Sequence, residues 1–187
     1  ILGHDVMFAG TDEHDFDAES GDDIMVQGES VMRNEGMLGF DWAIHKGNSQ
    51  NADSDLLVPI FTTDQQDILR DRFDAVEALS GWDKNDTLKG DNRADPALGG
   101  GEGNPALAGA ENTMVGHQLT QAGVDRIDGL REVLGNWVAA APTGSTAEQR
   151  EQIVAFDDGN ILLGGGGNDT IEGRGGNDVI DGDAWLN

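Results

Sequence analysis

A nine-residue period closes this chain and leaves few folds open to it. The run GNILLGGGGNDTIEGRGGNDVIDGDAWLN (159–187) divides into GGGGNDTIE (164–172), GRGGNDVID (173–181) and GDAWLN (182–187). One slot holds Asn160, Asp169, Asp178 and Asn187, each nine residues apart. Two residues later the slot is aliphatic, with Leu162, Ile171 and Ile180, and Gly164, Gly173 and Gly182 open each unit. Three slots sharing one period describe a stack of short units, none of which can bury its own apolar face alone.

A more worn copy of the pattern occupies residues 3–47, where Asp5, Asp23 and Asp41 are spaced by 18 and Met7, Met25 and Ala43 follow two residues later. At the half period His14 and Met32 stand where Asp belongs, and Asp15 takes over from His14 if one residue is inserted in 11–14. Two echoes lie in the middle. NDTLKGD (85–91) matches NDTIEGR (168–174) and implicates Asp86, with Leu88 inward. VDRIDG (124–129) offers Asp125 but reads equally well as helix.

Composition agrees with a turn-rich stack. The 187 residues include 25 Asp against 11 Glu, with 28 Gly and 12 Asn, a balance that penalises helix interiors and favours turns. The formal net charge of −25 argues against nucleic acid or an anionic membrane surface as partner. No apolar run approaches the roughly 18 residues a membrane-spanning helix needs, and the absence of Cys removes disulfides and thiolate chemistry. The chain opens on Ile1 and stops within a repeat, so it is expected to be a piece of a longer protein.

The unit G-G-x-G-x-D-x-U-x resembles the calcium-binding nonapeptide of the RTX family. That resemblance implies a mainly β fold, a right-handed parallel β-roll in which two nonapeptides make one turn and several Ca²⁺ ions sit between loops stacked on the same edge. The residue types suit such a site. Stacked strands lie about 4.7–4.9 Å apart, roughly twice the 2.3–2.6 Å of a calcium–oxygen bond, so one ion can bridge acids on adjacent rungs. Without it, two such charges repel by roughly 3 kcal/mol at an effective dielectric of ~20. The residues expected at the metal are Asp5, Asp23, Asp41, Asp86, Asn160, Asp169 and Asp178. Gly164, Gly165, Gly167, Gly173 and Gly176 supply turns and carbonyls. With its half-turn acids degraded, one edge of the N-terminal copy should bind calcium better than the other.

Residues 48–155 break the period and divide the chain into an N-terminal degenerate roll (1–47), a helical and loop insertion with an echo at 81–92, and C-terminal repeats (156–187). Within the insertion, 64–81 carries a helical stripe at 68, 69, 73, 76 and 79, and 119–140 repeats it with Ile127, Leu130, Val133, Leu134 and Trp137. A capping box, Ser145-Thr146 with Glu148, opens a helix over 145–156. The Gly/Ala/Pro-rich stretch 91–113 reads as an exposed loop, and the insertion as a cap shielding an open sheet edge.

No zinc-protease, P-loop, nucleophile-elbow, deaminase or EF-hand motif occurs. His4, His14, His45 and His117 are scattered and expected in surface or loop roles, while Trp42, Trp82 and Trp185 beside the repeats are expected to cap the apolar stack. The segments HDVMFAGT, GMLGFDWAIHKG, DRFDAVEALSGW and LTQAGVDRIDGL, with the closing repeats, resemble the RTX region of large secreted bacterial haem peroxidases of the animal-peroxidase superfamily. The resemblance implies an extracellular protein, exported by type I secretion, whose catalytic domains lie elsewhere, and partners limited to calcium and the rest of the parent polypeptide. This segment is then not itself an enzyme. The rival readings are a contribution to a peroxidase or manganese-oxidising site, and a calcium-dependent adhesion or matrix module.

Overall fold

The computed structural model describes residues 3–12, 14–93, 114 and 116–187. The loop expected at 91–113 lies outside the described residues from position 94 onward. The first nine strands are β1 (Val6–Phe8), β2 (His14–Asp17), β3 (Ile24–Val26), β4 (Met32–Glu35), β5 (Trp42–Ile44), β6 (Asp53–Asp55), β7 (Arg72–Asp74), β8 (Ala78–Ser80) and β9 (Thr87–Lys89). After them come β10 (Leu119–Thr120), α1 (Gln121–Arg126), α2 (Leu130–Leu134), α3 (Ala147–Arg150), β11 (Val154–Phe156), β12 (Ile161–Leu163), β13 (Thr170–Glu172) and β14 (Val179–Asp181). The chain is mainly β, and among the described residues no helix is long and apolar enough to cross a membrane.

Six strands form one sheet in the order β1-β3-β5-β8-β12-β14, every pair parallel and in register. Its central positions align as Met7, Met25, Ala43, Leu79, Leu162 and Ile180. Two smaller parallel sheets, β2-β4-β7 and β6-β9-β13, carry Phe16, Asn34 and Phe73 in one central row and Ser54, Leu88 and Ile171 in the other. Met25, Ala43, Leu79 and Leu162 pack against Phe73 and Leu88 in one apolar cluster, with Met7, Phe16 and Ile171 at its margin. The aliphatic slot of the repeat therefore points between the large sheet and the small ones, as strand alternation requires, except at Ile180 on the last strand, which is 49% exposed.

The flanking positions of the large sheet face the other way. Val26, Trp42, Ile44, Ala78, Ile161, Leu163 and Val179 form a second cluster with Leu119, Val124, Leu130, Leu134, Val138 and Phe156. Residues 119–156 thus cover the outer face of the sheet rather than its edge. Arg126 Nη1 ties α1 to the repeat loops through Asp22 Oδ2 at 2.6 Å.

The order of strands in the small sheets departs from chain order. β6 pairs with β9, whereas β7, which follows β6, pairs back with β4. Residues 53–60 bridge the two: Pro59 forms a parallel bridge with Phe73, whose N–H donates to Val58 O at 2.8 Å.

Several sequence expectations are corrected here. Residues 64–81 are not a helix but a short 3-10 turn (Asp67–Leu69) followed by β7 and β8. The i, i+3, i+6 spacing of Phe73, Val76 and Leu79 serves two strands around a tight bend at Ala75, where φ is +52°, while Leu69 is 76% exposed. The helix expected over 119–140 is broken by Gly129 at φ +81°, and Trp137 points to solvent. α3 spans only four residues, and its capping box is Thr146 with Gln149, not Glu148. The 124–129 echo is split: residues 124–126 end α1, with Asp125 paired to Arg131 and Arg150, and 127–129 form the break that follows. His45 and His117 are buried rather than superficial; His45 Nε2 meets Ser54 Oγ at 2.9 Å, and burial lowers its pKa to about 4. Trp42 is wholly buried under the helices, while Trp82 and Trp185 meet edge to face at 5.6 Å.

Candidate metal centre

The residue immediately before each strand of the large sheet is Asp5, Asp23, Asp41, Glu77, Asn160 or Asp178. Parallel register therefore stacks these side chains in one column along the sheet's leading edge. On the opposite edge Asp86 precedes β9 and Asp169 precedes β13.

One oxygen each of Asp23, Asp41, Glu77, Asp86, Asp169 and Asp178 is spent on building the stack. Asp41 Oδ1 accepts the Asp23 N–H at 2.9 Å, and Asp23 Oδ1 accepts that of Asp5. Glu77 Oε2 accepts the Asp41 N–H at 2.7 Å, and Asp178 Oδ1 that of Asn160 at 2.8 Å. On the other edge Asp86 Oδ1 accepts Ala52 N–H at 2.8 Å and Asp169 Oδ1 accepts Asp86 N–H at 2.9 Å. Such charge-assisted bonds replace ladder contacts that the loops cannot make.

The second oxygen is the chemically informative one. Asp23 Oδ2 and Asp41 Oδ2 are buried without a hydrogen-bond partner. Burial raises the pKa of Asp23, and burial together with the Glu77 charge pushes that of Asp41 up to about 10. Burial also raises Asp178. A dry, unpaired carboxylate is costly, and a divalent cation between rungs removes that cost by holding both acids ionised.

A glycine five residues ahead of the acid makes room for it. A Cβ on Gly36 would lie 2.6 Å from Asp41 Oδ2, on Gly81 2.3 Å from Asp86 Oδ2, on Gly164 2.6 Å from Asp169 Oδ2, and on Gly173 2.2 Å from Asp178 Oδ2. Carbonyls approach the same points: Gly164 O lies 2.2 Å from the Gly81 Cβ position and Gly182 O 2.8 Å from that of Gly164. Gly165, Gly167 and Gly176 take positive φ of +97°, +125° and +94°, so they turn the loops, while Gly164 and Gly173 are required for close approach.

Among the described residues no three His, Asp or Glu side chains converge on one point. Any ion here draws on acids from adjacent rungs plus glycine carbonyls and water, an all-oxygen donor set that fits calcium's six to eight ligands. Asn160 has both ends of its amide engaged, donating to Glu77 O at 3.0 Å and accepting from Asp91 N–H at 2.8 Å. On the edge expected to bind calcium less well, His14 and Met32 lie in β2 and β4, and Asp15 pairs with Arg33 at 3.0 Å instead of facing a loop.

Sequence reasoning passed over the most densely charged part of the column. Glu77, Asp91, Arg93 and His117 are all buried. Arg93 binds both Glu77 Oε1 and Asp91 Oδ2, and His117 Nδ1 lies 3.3 Å from Glu77 Oε1. The loop before β8 is three residues shorter than the repeat loops, which hid Glu77 from a search at fixed spacing.

The family model for the RTX calcium-binding nonapeptide repeat (4 copies) matches residues 154–184. No curated protein and no solved structure matches the chain. The segment containing β11 to β14 thus carries RTX-type repeats, and such repeats bind multiple Ca²⁺ ions.

Proposed function

We propose that this chain is a calcium-dependent folding module: a parallel β-roll whose turns are held together by Ca²⁺ and which belongs to a larger secreted protein. The observation that carries the proposal is the column of stacked acids, buried at Asp23, Asp41 and Glu77, with Asp23 Oδ2 and Asp41 Oδ2 unpartnered, in a chain whose last turns match the RTX repeat. Asp5, Asp23 and Asp41 would share ions on one edge, Asp86 and Asp169 on the other, and Asp178 would close the last turn, with loop glycine carbonyls completing each shell. The ion's contribution is charge neutralisation, while the side chains fix the strand register that it locks.

On this reading the module has no catalytic group of its own, and its partners are calcium and the remainder of its parent polypeptide. The haem-peroxidase likeness, carried by the sequence segments quoted above, makes that parent an exported oxidoreductase. The stacked acids then serve as a switch. Free calcium at 100 times Kd stabilises by about 2.7 kcal/mol per site, so several sites separate an unfolded chain in a calcium-poor cytosol from a folded one outside the cell.

Circular dichroism and isothermal titration of the full chain, with calcium and with chelator, test the proposal. Cooperative gain of β structure with several ions bound is expected. Identical spectra in both conditions would overturn it.

A further inference from the structure

The fourth and fifth strands of the large sheet, β8 and β12, are joined at their leading edge by a group unlike those on either side. Glu77, before β8, is fully buried, as is Asn160 before β12. Asp91 and Arg93, in the loop that follows β9, enter the same space and are 4% and 5% exposed. The Arg93 guanidinium touches three oxygens: Glu77 Oε1, Asp91 Oδ2 and the backbone carbonyl of Val76. The Arg93 backbone N–H donates to Asp91 Oδ1 at 2.8 Å. Two carboxylates from successive loops and a main-chain carbonyl make up the same oxygen set that the neighbouring gaps offer to a metal, and here a planar cation already fills it.

From this we propose that Arg93 is a built-in cation standing where an inter-turn calcium would otherwise bind, so that the Glu77–Asp91 gap closes without metal. The inference rests on the calcium reading of the adjacent gaps. Three further features support it. Asn160 supplies a neutral amide where the rest of the column places an acid, so the local charge is two carboxylates against one guanidinium with His117 alongside. The short loop before β8 brings Val76 O and Glu77 to a single side chain. The guanidinium, the one basic group that stays charged when buried, has a fork matched to two acceptors on different loops. Arg174 repeats the device nearby, forking onto Asp55 Oδ1 and Oδ2 at 2.6 and 2.8 Å and donating to Gly90 O at 2.7 Å.

The test is calcium stoichiometry of the full chain by isothermal titration, with far-UV circular dichroism reporting folding in saturating calcium. Arg93→Met keeps most of the volume and vacates the cation position. It is expected to bind one more Ca²⁺ than wild type and to need more calcium to fold. A folded Arg93→Met with the wild-type count overturns the proposal. The neutral triple variant Glu77→Gln/Asp91→Asn/Arg93→Met keeps the test decisive if the single variant does not fold, because a buried charged triad replaced as a whole is tolerated. It should bind the wild-type number of ions, and loss of one ion would show that Glu77 and Asp91 are calcium ligands and overturn the assignment. A wild-type chain that binds no calcium overturns the functional reading instead. In that case a rise from none to one in Arg93→Met still supports the role of Arg93, and a count that stays at none refutes it.

Discussion

The glycines that open successive repeats offer a matched series in which one chemical change should have opposite effects. Gly164, Gly173 and Gly182 occupy the same slot. An added methyl on Gly173 would stand 2.2 Å from Asp178 Oδ2 and 2.9 Å from its Cγ, about 1 Å inside ordinary carbon–oxygen contact. Asp178 cannot swing away freely, because its Oδ1 holds the Asn160 N–H at 2.8 Å. Displacement by that amount breaks a hydrogen bond to a charged group, a loss of about 1.5–3 kcal/mol, and shifts an oxygen that the proposed ion would use. On Gly81 the nearest atom is the Gly164 carbonyl oxygen at 2.2 Å, which belongs to the next turn's backbone, so overpacking of about 1–3 kcal/mol is expected. Nothing lies within 4 Å of the Cβ position on Gly182, and its φ is not positive, so Gly182→Ala should stabilise by about 0.4–1 kcal/mol through the unfolded chain. Urea unfolding in saturating calcium, with the calcium midpoint of folding measured in parallel, reads both effects. The reasoning fails if Gly182→Ala destabilises as much as Gly173→Ala, or if Gly173→Ala and Gly81→Ala leave both midpoints unchanged.

Four further outcomes follow from the same geometry. Asp169→Ala and Asp178→Ala should each weaken calcium binding and raise the calcium needed for folding, because each removes an acid that also anchors an N–H of the adjacent turn; titration calorimetry would show fewer ions or weaker binding. Asp41→Asn should stabilise the chain in chelator, where a buried carboxylate beside Glu77 is a burden, and destabilise it in calcium; equal shifts in both conditions would contradict the cation role of the Asp23–Asp41 gap. His45, with a folded pKa of about 4 against 6.5 unfolded, contributes fully above pH 6.5, and that contribution of about 3 kcal/mol is lost as pH falls towards 4; His45→Gln should flatten this part of the acid slope in urea titrations. Leu88→Ala, at a wholly buried central position, should cost about 2–5 kcal/mol in unfolding free energy.

The period of the sequence carried the large sheet well, because each slot has a single physical job. Met7, Met25 and Ala43 were placed inward by an 18-residue spacing, and they align as strand partners. Leu88 was placed inward by its likeness to Ile171, and the two pair directly. What escaped had lost the period or mimicked another one. Phe73, Val76 and Leu79 carry a helical spacing that a bend at Ala75 splits between two strands. Gly129 offered a visible break inside an otherwise convincing helical stripe. Arg93 escaped because its partners, Val76, Glu77 and Asp91, come from two loops brought together only by strand pairing, and no spacing rule connects them.

The crossed order of β6 and β7 has a consequence for how the chain can assemble. Built from the N-terminal end, the stack can add β3, β4 and β5 in turn, each finding its ladder partner, β1, β2 or β3, already in place. β6 breaks that sequence, since its ladder partner β9 lies more than thirty residues downstream and has not yet appeared. β7 can dock on β4 and on Val58 and Pro59 at once, but Asp53–Asp55 must wait unpaired until Thr87–Lys89 arrives to seat them. The stack therefore carries one defined gap until residue 87, and a shortened chain ending before it should pair β1 to β5, β7 and β8 and leave β6 bare.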